Sequence, residues 1–381
     1  MLEKGGSVDP AKRPDDSFVL YSIPSFDAGK PETVSGHEIG SSKKKVKPGD
    51  VLLSRIVPHI RRGWIVGNHS KSEIIASGEW IVFRSEKIYA PYLRHFLVSD
   101  VFHPQFMKTV SGVGGSLLRA KPDYVAEIAI PLPPLDEQRR LAAILDKADD
   151  LRRKRKRALE LLDSLAKSTF LHFFGETTSD ILKIGKPILL SEVADIGSGI
   201  TKGRKLNGQA TRRVPYLAVA NVQDRRLELS NVKFIDATES EIARYRLRRN
   251  DLLLTEGGDP DKLGRGTLWS DELGEAIHQN HIFRVRIKSA SVMPLFLNWL
   301  VGSPYGKQYF LSVAKQTTGI ASINKKQLSA FPTIVPNIDL QRRFVRCVET
   351  VAGETQKLTS SLSQMESLFS SLQHRAFSGQ L

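Results

Sequence analysis

The chain has 381 residues, enough for two or three domains that each bury a core of their own. Its 56 lysines and arginines outnumber 41 acidic residues, so the formal net charge of +15 favours a polyanionic partner such as nucleic acid. The single cysteine excludes an internal disulfide framework and a thiolate zinc cluster, and no apolar run reaches the length of a membrane span or a secretory signal. We therefore expect a protein of the reducing cytoplasm.

Short β-branched or apolar runs predict strands in both halves of the chain. In chain order they are "DVLLSRIV" (50–57), "EIIAS" (73–77), "WIVFR" (80–84), "PYLAVANV" (215–222), "DLLLTE" (251–256) and "HIFRVRI" (281–287). Two longer stretches with an aromatic stripe, 90–110 and 293–313, predict helices. The globular parts are thus expected to be mixed α/β.

The second half of the chain repeats the first. Shifted by 203 residues, "IPLPPLDEQRR" (130–140) aligns with "TIVPNIDLQRR" (333–343) without a gap. Upstream, "KPGDVLLSRIVPHIRRGWIV" (47–66) resembles "RRNDLLLTEGGDPDKLGRGTLW" (248–269), and "FVLYSIPSFDAGK" (18–30) resembles "PYLAVANVQDRRL" (215–227). Each half is expected to run from a globular part through a proline segment into a long helix.

The segments that follow the prolines carry mostly apolar residues at alternating steps of three and four, without an internal proline. Matching heptads predict an antiparallel coiled coil, because the chain must return through a globular part before it supplies the second helix. The alternative is that each helix packs separately on its own domain. The predicted seam comprises Leu141, Ile144, Ala148, Leu151, Arg155, Ala158, Leu162, Leu165 and Thr169, then Phe344, Cys347, Val351, Glu354, Leu358, Ser361, Met365, Leu368 and Leu372.

A basic run, "RRKRKRA" (152–158), lies in the middle of the first helix. All of its basic residues except Arg155 fall outside the predicted seam, and the aligned stretch of the second half has only one basic residue. We interpret the run as the exposed flank of the helix.

These features together resemble the specificity subunit of type I restriction–modification systems. The resemblance covers nearly the whole chain and depends on the proline-plus-helix unit, "PLPPLDEQRRLAAILDKADDL" and its counterpart, occurring twice. It implies a mixed α/β (α+β) fold in which two target recognition domains are separated by two long helices forming an antiparallel coiled coil. Each domain would read half of a split double-stranded DNA site. The helices would dock two methyltransferase subunits, and a restriction/translocase subunit would join them.

The expected organisation is a first recognition domain over 1–134, a first spacer helix over 135–175, a second recognition domain over 176–336 and a second spacer helix over 337–381. The first domain is expected to be shortened at its N-terminus, since nothing like the opening segment 187–203 of the second domain precedes "FVLYSIPSF". A helix of this length spans about 50 Å at about 1.5 Å per residue, roughly fifteen base pairs of duplex. The half-sites are therefore expected to be separated by unread bases.

Motifs for catalysis are missing from the sequence. It has no [ND]PP[YF] loop of an adenine methyltransferase and no phosphate-cradling GxxxxGK[ST]. Neither "EGGDPDK" (256–262) nor "HQNH" (278–281) resembles a nuclease or metal site. We expect a non-catalytic chain without metal or cofactor, with S-adenosylmethionine, ATP and Mg²⁺ on partner subunits. Alternatives are a type IIB or type IIG-like specificity subunit, a catalytic methyltransferase or nuclease, and a coiled-coil adaptor that does not contact DNA.

Arginine, asparagine and glutamine read base edges, whereas lysine mostly holds phosphate. Replacing Arg265 or Asn221 is expected to relax the recognised motif, and loss of Lys325 or Lys326 to weaken all sequences alike. The DNA-binding candidates in the first domain are Lys43, Lys44, Lys45, Arg55, His59, Arg61, Arg62, Ser116, Arg119 and Lys121. Those in the second are Lys202, Arg204, Lys205, Arg212, Arg213, Asn221, Gln223, Arg225, Arg226, Lys262, Arg265, Gln279, Asn280, His281, Ser322, Asn324, Lys325 and Lys326.

Overall fold

The structure, a computed structural model, describes residues 1–3, 5–69, 72–112, 118–206, 208–317 and 319–381. It forms two compact units, a first unit of Met1–Leu159 with Lys357–Leu381 and a second unit of Glu160–Gln356. Both are mixed α/β, as the sequence predicts, and each contains part of both long helices. The predicted boundaries of the four functional segments stay a prediction.

The described part of the first unit has ten short strands and four short α-helices, followed by the beginning of a long helix. The strands are β1 Ser7–Val8, β2 Ser17–Tyr21, β3 Glu32–Ser35, β4 Lys43–Lys45, β5 Val51–Ser54, β6 Gly63–Ile65, β7 Glu73–Ala76, β8 Trp80–Phe83, β9 Val110–Ser111 and β10 Arg119–Ala120. The helices are α1 Ile23–Asp27, α2 Ala90–Leu97, α3 His103–Lys108, α4 Pro122–Ala126 and the long α5 Leu135–Phe174. The described strands pair in the orders β1-β4-β7-β2-β3, β6-β5-β8 and β10-β9.

The second unit repeats this organisation with more strands. They are β11 Pro187–Leu189, β12 Ala194–Ser198, β13 Arg212–Leu217, β14 Val222–Gln223, β15 Arg226–Leu227, β16 Lys233–Ala237, β17 Leu252–Thr255, β18 Gly257–Gly258, β19 Gly266–Leu268, β20 Ile277–His278, β21 Ile282–Ile287, β22 Lys315–Thr317, β23 Ile320–Ser322 and β24 Pro332–Ile334. The helices are α6 Thr178–Lys183, α7 Leu190–Val193, α8 Glu239–Tyr245, α9 Pro294–Gly302, α10 Pro304–Val313, α11 Lys325–Ser329 and the long α12 Ile338–Phe377. Its described sheets are β12-β21-β17-β19, β16-β13-β20, β18-β23-β22, β14-β15 and β11-β24.

The repeat is visible in the antiparallel meander of each unit. Strand β5 pairs with β6 and β8 in the first unit, and β17 pairs with β19 and β21 in the second. All six predicted strand runs form strands. Each of the two predicted helical stretches forms two helices, because Pro104 and Pro304 lie in first turns, where a missing N–H costs no helical hydrogen bond.

The two long helices run antiparallel, as predicted. Within the first unit, Arg140 Nη2 donates to Leu381 O over 2.6 Å, and Lys156 Nζ lies 2.9 Å from Glu366 Oε1. Residues further along α5 therefore contact residues nearer to the N-terminus of α12, which is the arrangement of an antiparallel pair. Within the second unit, the rings of Phe170 and Phe344 lie 5.6 Å apart.

The predicted seam is only partly correct. Leu141 and Phe344 are buried, but Leu151, Leu165 and Leu368 are about half exposed, and Cys347 is exposed too. The buried positions of α5 are instead mostly one residue further along, with Ala142, Leu145 and Asp149 in the first unit and Ala166 and Phe170 in the second. The cause is that each long helix packs on a globular core as well as on the other long helix. Its buried residues therefore face both of these neighbours. Both packing alternatives are therefore realised together.

The basic run is paired within the helices of the first unit. Arg152 Nη2 lies 2.7 Å from Asp149, and its guanidinium lies 4.4 Å above the ring of Phe369. Lys154 lies 2.8 Å from Asp150 in the preceding turn. These ion pairs support the interpretation of the run as a helix flank.

A buried glutamine ties the first proline segment to α2. The side chain of Gln138 is almost fully buried. Its Oε1 accepts from the backbone N–H of Tyr89 (2.8 Å), and its Nε2 donates to the carbonyls of Pro133 (2.8 Å) and Lys87 (3.3 Å). The start of α5 and the start of α2 are therefore joined by one side chain.

Gln341 has the same role in the second unit. Its Oε1 accepts from the backbone N–H of Met293 (2.9 Å), and its Nε2 donates to the carbonyls of Ser291 (2.8 Å) and Pro336 (2.9 Å). The aligned "QRR" of the two halves thus carries a repeated structural glutamine. We call Gln138 and Gln341 with these bonds the glutamine clamps.

Candidate nucleic-acid interface

Loops that are distant in sequence lie together in the second unit. The backbone N–H of Asn280 donates to Ile200 O (3.0 Å), and that of Glu256 donates to His281 O (3.0 Å). The N–H of Ile323 in turn donates to Glu256 O (2.9 Å). These bonds bring four predicted DNA-binding loops to one region. Together with the 218–226 loop, they form what we call the loop face: residues 200–206, 218–226, 256–265, 279–281 and 315–326, without 318.

The 218–226 loop joins the loop face through Arg265. Its Nη1 donates to the side-chain oxygen of Gln223 over 3.3 Å. Strand β14 and strand β15 form a hairpin whose turn residue, Arg225, donates its N–H to Gly266 O (2.8 Å). The hairpin and the glycine-rich loop are thus held side by side.

Several predicted contacts of the second unit are occupied by acidic partners. Arg204 binds Glu241 with two nitrogens at 2.5 and 2.7 Å, and this hydrogen bonding lowers the pKa of Glu241 to about 2. Arg212 lies 2.5 Å from both Glu239 and Glu275. These two arginines stabilise the fold, and the interface that we propose leaves them out.

Asn221, predicted as a base reader, has a structural role in its own loop. It is 3% exposed, its Oδ1 accepts from the N–H of Ala218 (2.8 Å), and its Nδ2 donates to the carbonyls of Glu228 (2.7 Å) and Asn231 (3.2 Å). An amide that closes its own loop has no free donor and acceptor pair for adenine. Gln279 is used similarly, since its Oε1 accepts from Val219 N (3.3 Å).

The other candidates of the loop face keep polar atoms at the surface. Lys202, Lys205 and Arg226 are exposed, while Asn280 is half-buried beside the exposed His281, whose Nδ1 lies 2.5 Å from Glu256 Oε2. Further members are Ser322 in β23, Asn324 as the N-cap of α11, and the exposed Lys325 and Lys326 in its first turn. Outside the loop face, Arg213 lies over the ring of Phe234.

The first unit offers fewer unpaired cations. Arg62 binds both carboxylate oxygens of Asp27 at 2.8 and 2.9 Å. The other ion pairs of the predicted residues are Lys45 with Glu73, Arg61 with Asp100, and Arg55 and Arg119 with Glu79.

The other five predicted residues of the first unit, four of which the structure describes, have none of those ion pairs. Lys44 donates to Trp80 O (2.7 Å), and burial lowers the pKa of Lys43 and Lys44. His59 is exposed, and Lys121 lies over the ring of Tyr124. Ser116 lies outside the described residues.

His278, which immediately precedes Gln279 on the loop face, is buried in the second unit. It is 1% exposed, and among the described residues neither ring nitrogen has a hydrogen-bond partner. Burial, reinforced by Arg284 and Arg286, lowers the pKa of His278 to about 3. No sequence signal distinguishes this histidine from the exposed His281 three residues later.

Lowering the pH from 6.5 to 5 is expected to cost the second unit about 2 kcal/mol through His278. The pKa of His278 is about 6.5 in the unfolded chain and about 3 in the folded protein. Above pH 6.5 the histidine is neutral in both states, so it does not change the free energy of unfolding. Below that, stability falls by about 1.4 kcal/mol per pH unit. Urea unfolding at both pH values should show a smaller pH difference for His278→Met than for the wild type. The exposed control His374→Gln should behave as the wild type, and equal pH differences in all three proteins would contradict this account.

Across the described ranges, no cluster of three His, Cys, Asp or Glu side chains is arranged to hold a metal ion. No helix among the described residues is both long and apolar enough to cross a membrane.

Comparison with known proteins gives relatives along most of the chain, although no family model matches it. The chain is 23% identical over 315 residues to the type I restriction enzyme StySPI specificity subunit of Salmonella potsdam, covering 78% of this chain and 67% of that one. It is 22% identical over 322 residues to the EcoKI specificity subunit of Escherichia coli K12, covering 79% and 68%. A chain from a type I R-M system, solved to explain complex assembly and conformational transition, matches with a TM-score of 0.59 at 20% identity, over 100% of this chain and 96% of that one. This last likeness concerns the fold.

Proposed function

Since the chain belongs to the family of type I restriction enzyme specificity subunits, we propose that it recognises a bipartite site in double-stranded DNA for a restriction–modification complex. Each of its two units would bind one half-site. The chain itself is a non-catalytic component, and the methyl transfer and cleavage belong to other subunits.

The loop face carries this proposal. It gathers loops from five parts of the second unit and presents exposed lysines and arginines, including Lys202, Lys205, Arg226, Lys325 and Lys326, on one region. Such a surface neutralises phosphates, while half-buried polar groups such as Asn280 lie among the cations where base edges would be read. In the first unit most predicted cations are already paired, so we infer that the second unit supplies more of the electrostatic attraction.

Partners and cofactors follow from the same assignment. Two methyltransferase subunits would dock on the long helices, a restriction/translocase subunit would join them, and the complex would act in the cytoplasm. S-adenosylmethionine, ATP and Mg²⁺ would be bound by those partners. A type IIB or type IIG-like system remains the alternative of the same architecture, and the genes next to this one separate the two.

Methylome sequencing of a host that carries this gene with its methyltransferase partner tests the function. We expect methylated adenines in a motif of two short half-sites separated by a fixed unread gap. Methylation without any motif, or a contiguous motif, would contradict recognition by two units. Purified chain alone with S-adenosylmethionine and DNA should transfer no methyl group, which separates this function from that of a catalytic methyltransferase.

Replacing both Lys325 and Lys326 with glutamine is expected to weaken binding to all duplex sequences alike. These exposed lysines begin α11, so they offer point charges to phosphate rather than a fork to a base. In anisotropy titrations of the complex, the plot of log binding constant against log salt concentration should become less steep. Its slope should fall in magnitude by about 0.9 per lost phosphate contact, or roughly 1.8 in total. The methylated motif should stay unchanged.

The matched control is Lys233→Gln, an exposed lysine of β16 in the same unit, and its salt slope should equal that of the wild type. A changed motif with an unchanged slope in the double variant would show that these lysines read bases instead.

A further inference from the structure

A concave pocket of about 320 Å³ lies at one end of the loop face. Two glycines, Gly264 and Gly302, are among its lining residues. Gly264 has φ +74°, and a Cβ there would approach Val301 O to 2.9 Å, so only glycine fits without strain. Four cationic side chains line the pocket: Arg226, Lys262, Arg265 and Lys307.

Two of the four cations pair with acids outside the lining of this pocket: Arg226 lies 3.5 Å from Glu228, and Lys262 pairs with Asp259. Asp224, the single lining carboxylate, lies 2.7 Å from Arg225. Arg265 bonds to the neutral side chain of Gln223, and its Nε is buried without a hydrogen-bond partner among the described residues. In the same part of the chain, neither Arg265 nor the exposed Lys307 has a carboxylate within ion-pair distance.

The first unit shows how the same framework looks when the arginine is neutralised. Arg62 precedes strand β6 as Arg265 precedes the equivalent β19, and Asp27 aligns with Asp224. Arg62 is bound by both carboxylate oxygens of Asp27 at 2.8 and 2.9 Å.

Arg225 accounts for the difference between the two units. It replaces Ala28 of the first unit, binds Asp224 and lies 4.1 Å over the ring of Trp299. Its backbone has φ +56°, a conformation that a non-glycine residue rarely adopts without a compensating contact. Asp224, which aligns with Asp27, is thus paired with Arg225 and not with Arg265.

We propose that this pocket binds a phosphate group, and that in the function proposed above, on which this assignment rests, the group is a backbone phosphate of duplex DNA. Arg265 and Lys307 are its principal ligands. Arg265 is therefore a phosphate-positioning residue, which replaces the expectation that it reads a base. In the described part of the first unit the equivalent arginine, Arg62, is neutralised by Asp27, so the contacts to the DNA backbone would differ between the two units.

The test uses the full chain assembled with its methyltransferase partner, with the variants Lys307→Gln, Arg265→Gln and both together. Anisotropy titrations with duplex DNA should show the magnitude of the salt slope falling by about 0.9 for each single variant and by roughly twice that for the pair. The methylated motif should be unchanged. Lys233→Gln is the control and should keep the wild-type slope. A double variant with the wild-type slope, or a motif relaxed at one position by Arg265→Gln, overturns the proposal.

A second variant guards against misfolding of the arginine variants. Arg225→Ala restores the first unit's residue and frees Asp224 to pair with Arg265, so it should lower the slope as Arg265→Gln does while leaving Lys307 intact. If the single variants Arg225→Ala and Lys307→Gln both keep the wild-type salt slope, the proposal is overturned.

Thermal unfolding of the chain in sodium phosphate and in sodium chloride of equal ionic strength separates the two sources of phosphate. Stabilisation by phosphate that the double variant loses, combined with an unchanged DNA slope, would assign the pocket to a free phosphate-bearing ligand and overturn the DNA assignment. Failure of the wild-type complex to bind any duplex would instead contradict the proposed function.

Discussion

Replacing Phe344 with alanine is expected to destabilise the second unit by about 4 kcal/mol, within the usual range for truncating a fully buried phenylalanine. Phe344 of α12 is 0% exposed. Its ring centroid lies 5.6 Å from that of Phe170, 5.0 Å from that of Phe174 and 5.8 Å from that of Trp299. One side chain thus joins both long helices to α9, and its loss leaves a cavity among rings that are too large to close it.

Urea unfolding followed by tryptophan fluorescence measures this change, because Trp299 lies in the same cluster. Cys347→Ala is the matched control, since Cys347 is exposed one turn further along the same helix and should change the free energy of unfolding by less than about 0.5 kcal/mol. A cost for Phe344→Ala as small as that of the control would show that this cluster does not hold the helices to the domain. Loss of methylation in the host should accompany the expected destabilisation.

Replacing Gln341 with methionine is expected to cost the second unit about 3 kcal/mol. Methionine keeps the length of the side chain but leaves a buried N–H at Met293 and two carbonyls without their partner, and each such group costs about 1–3 kcal/mol unless water reaches it. Because the clamp is repeated, Gln138→Met should destabilise the first unit by a similar amount. Arg342→Ala, next to the clamp and exposed, is the control and should change stability by less than about 0.5 kcal/mol.

Differential scanning calorimetry resolves the clamp variants, because each should lower the transition of its own unit. A neutral result for Gln341→Met would show that water satisfies the freed backbone groups. Destabilisation by Gln138→Met alone would contradict the structural equivalence of the two clamps.

Local patterns in the sequence were enough to predict six strand runs and the two long helices. Alternation and β-branching are recorded in neighbouring residues, as in "DLLLTE", which forms β17. The repeat was visible in the sequence because Gln138 and Gln341, each five residues after a proline, make equivalent hydrogen bonds at the two clamps. The phase of the helices was not predictable in this way, since Leu151 and Leu145 are equally apolar and only the position of the globular core decides which one is buried.

The site was less predictable than the fold, because the partner of a polar side chain is often distant in sequence. Arg62 and Arg265 occupy equivalent places, yet Asp27 neutralises one of them and Arg225 diverts the equivalent acid from the other. The bond from Asn221 to the carbonyl of Glu228, seven residues along the chain, is likewise not visible in the sequence. Lys307 was missed because it belongs to a helix whose aromatic stripe indicates only core packing.

The division of the chain into units has a consequence for its synthesis. The second unit is one continuous stretch, Glu160–Gln356, whereas the first needs Lys357–Leu381 to complete its core, which includes Phe369 and Phe377. A ribosome working from the N-terminus therefore releases every residue of the second unit before the last piece of the first. The half that is made first must wait, with part of its apolar core uncovered, for the residues that are made last.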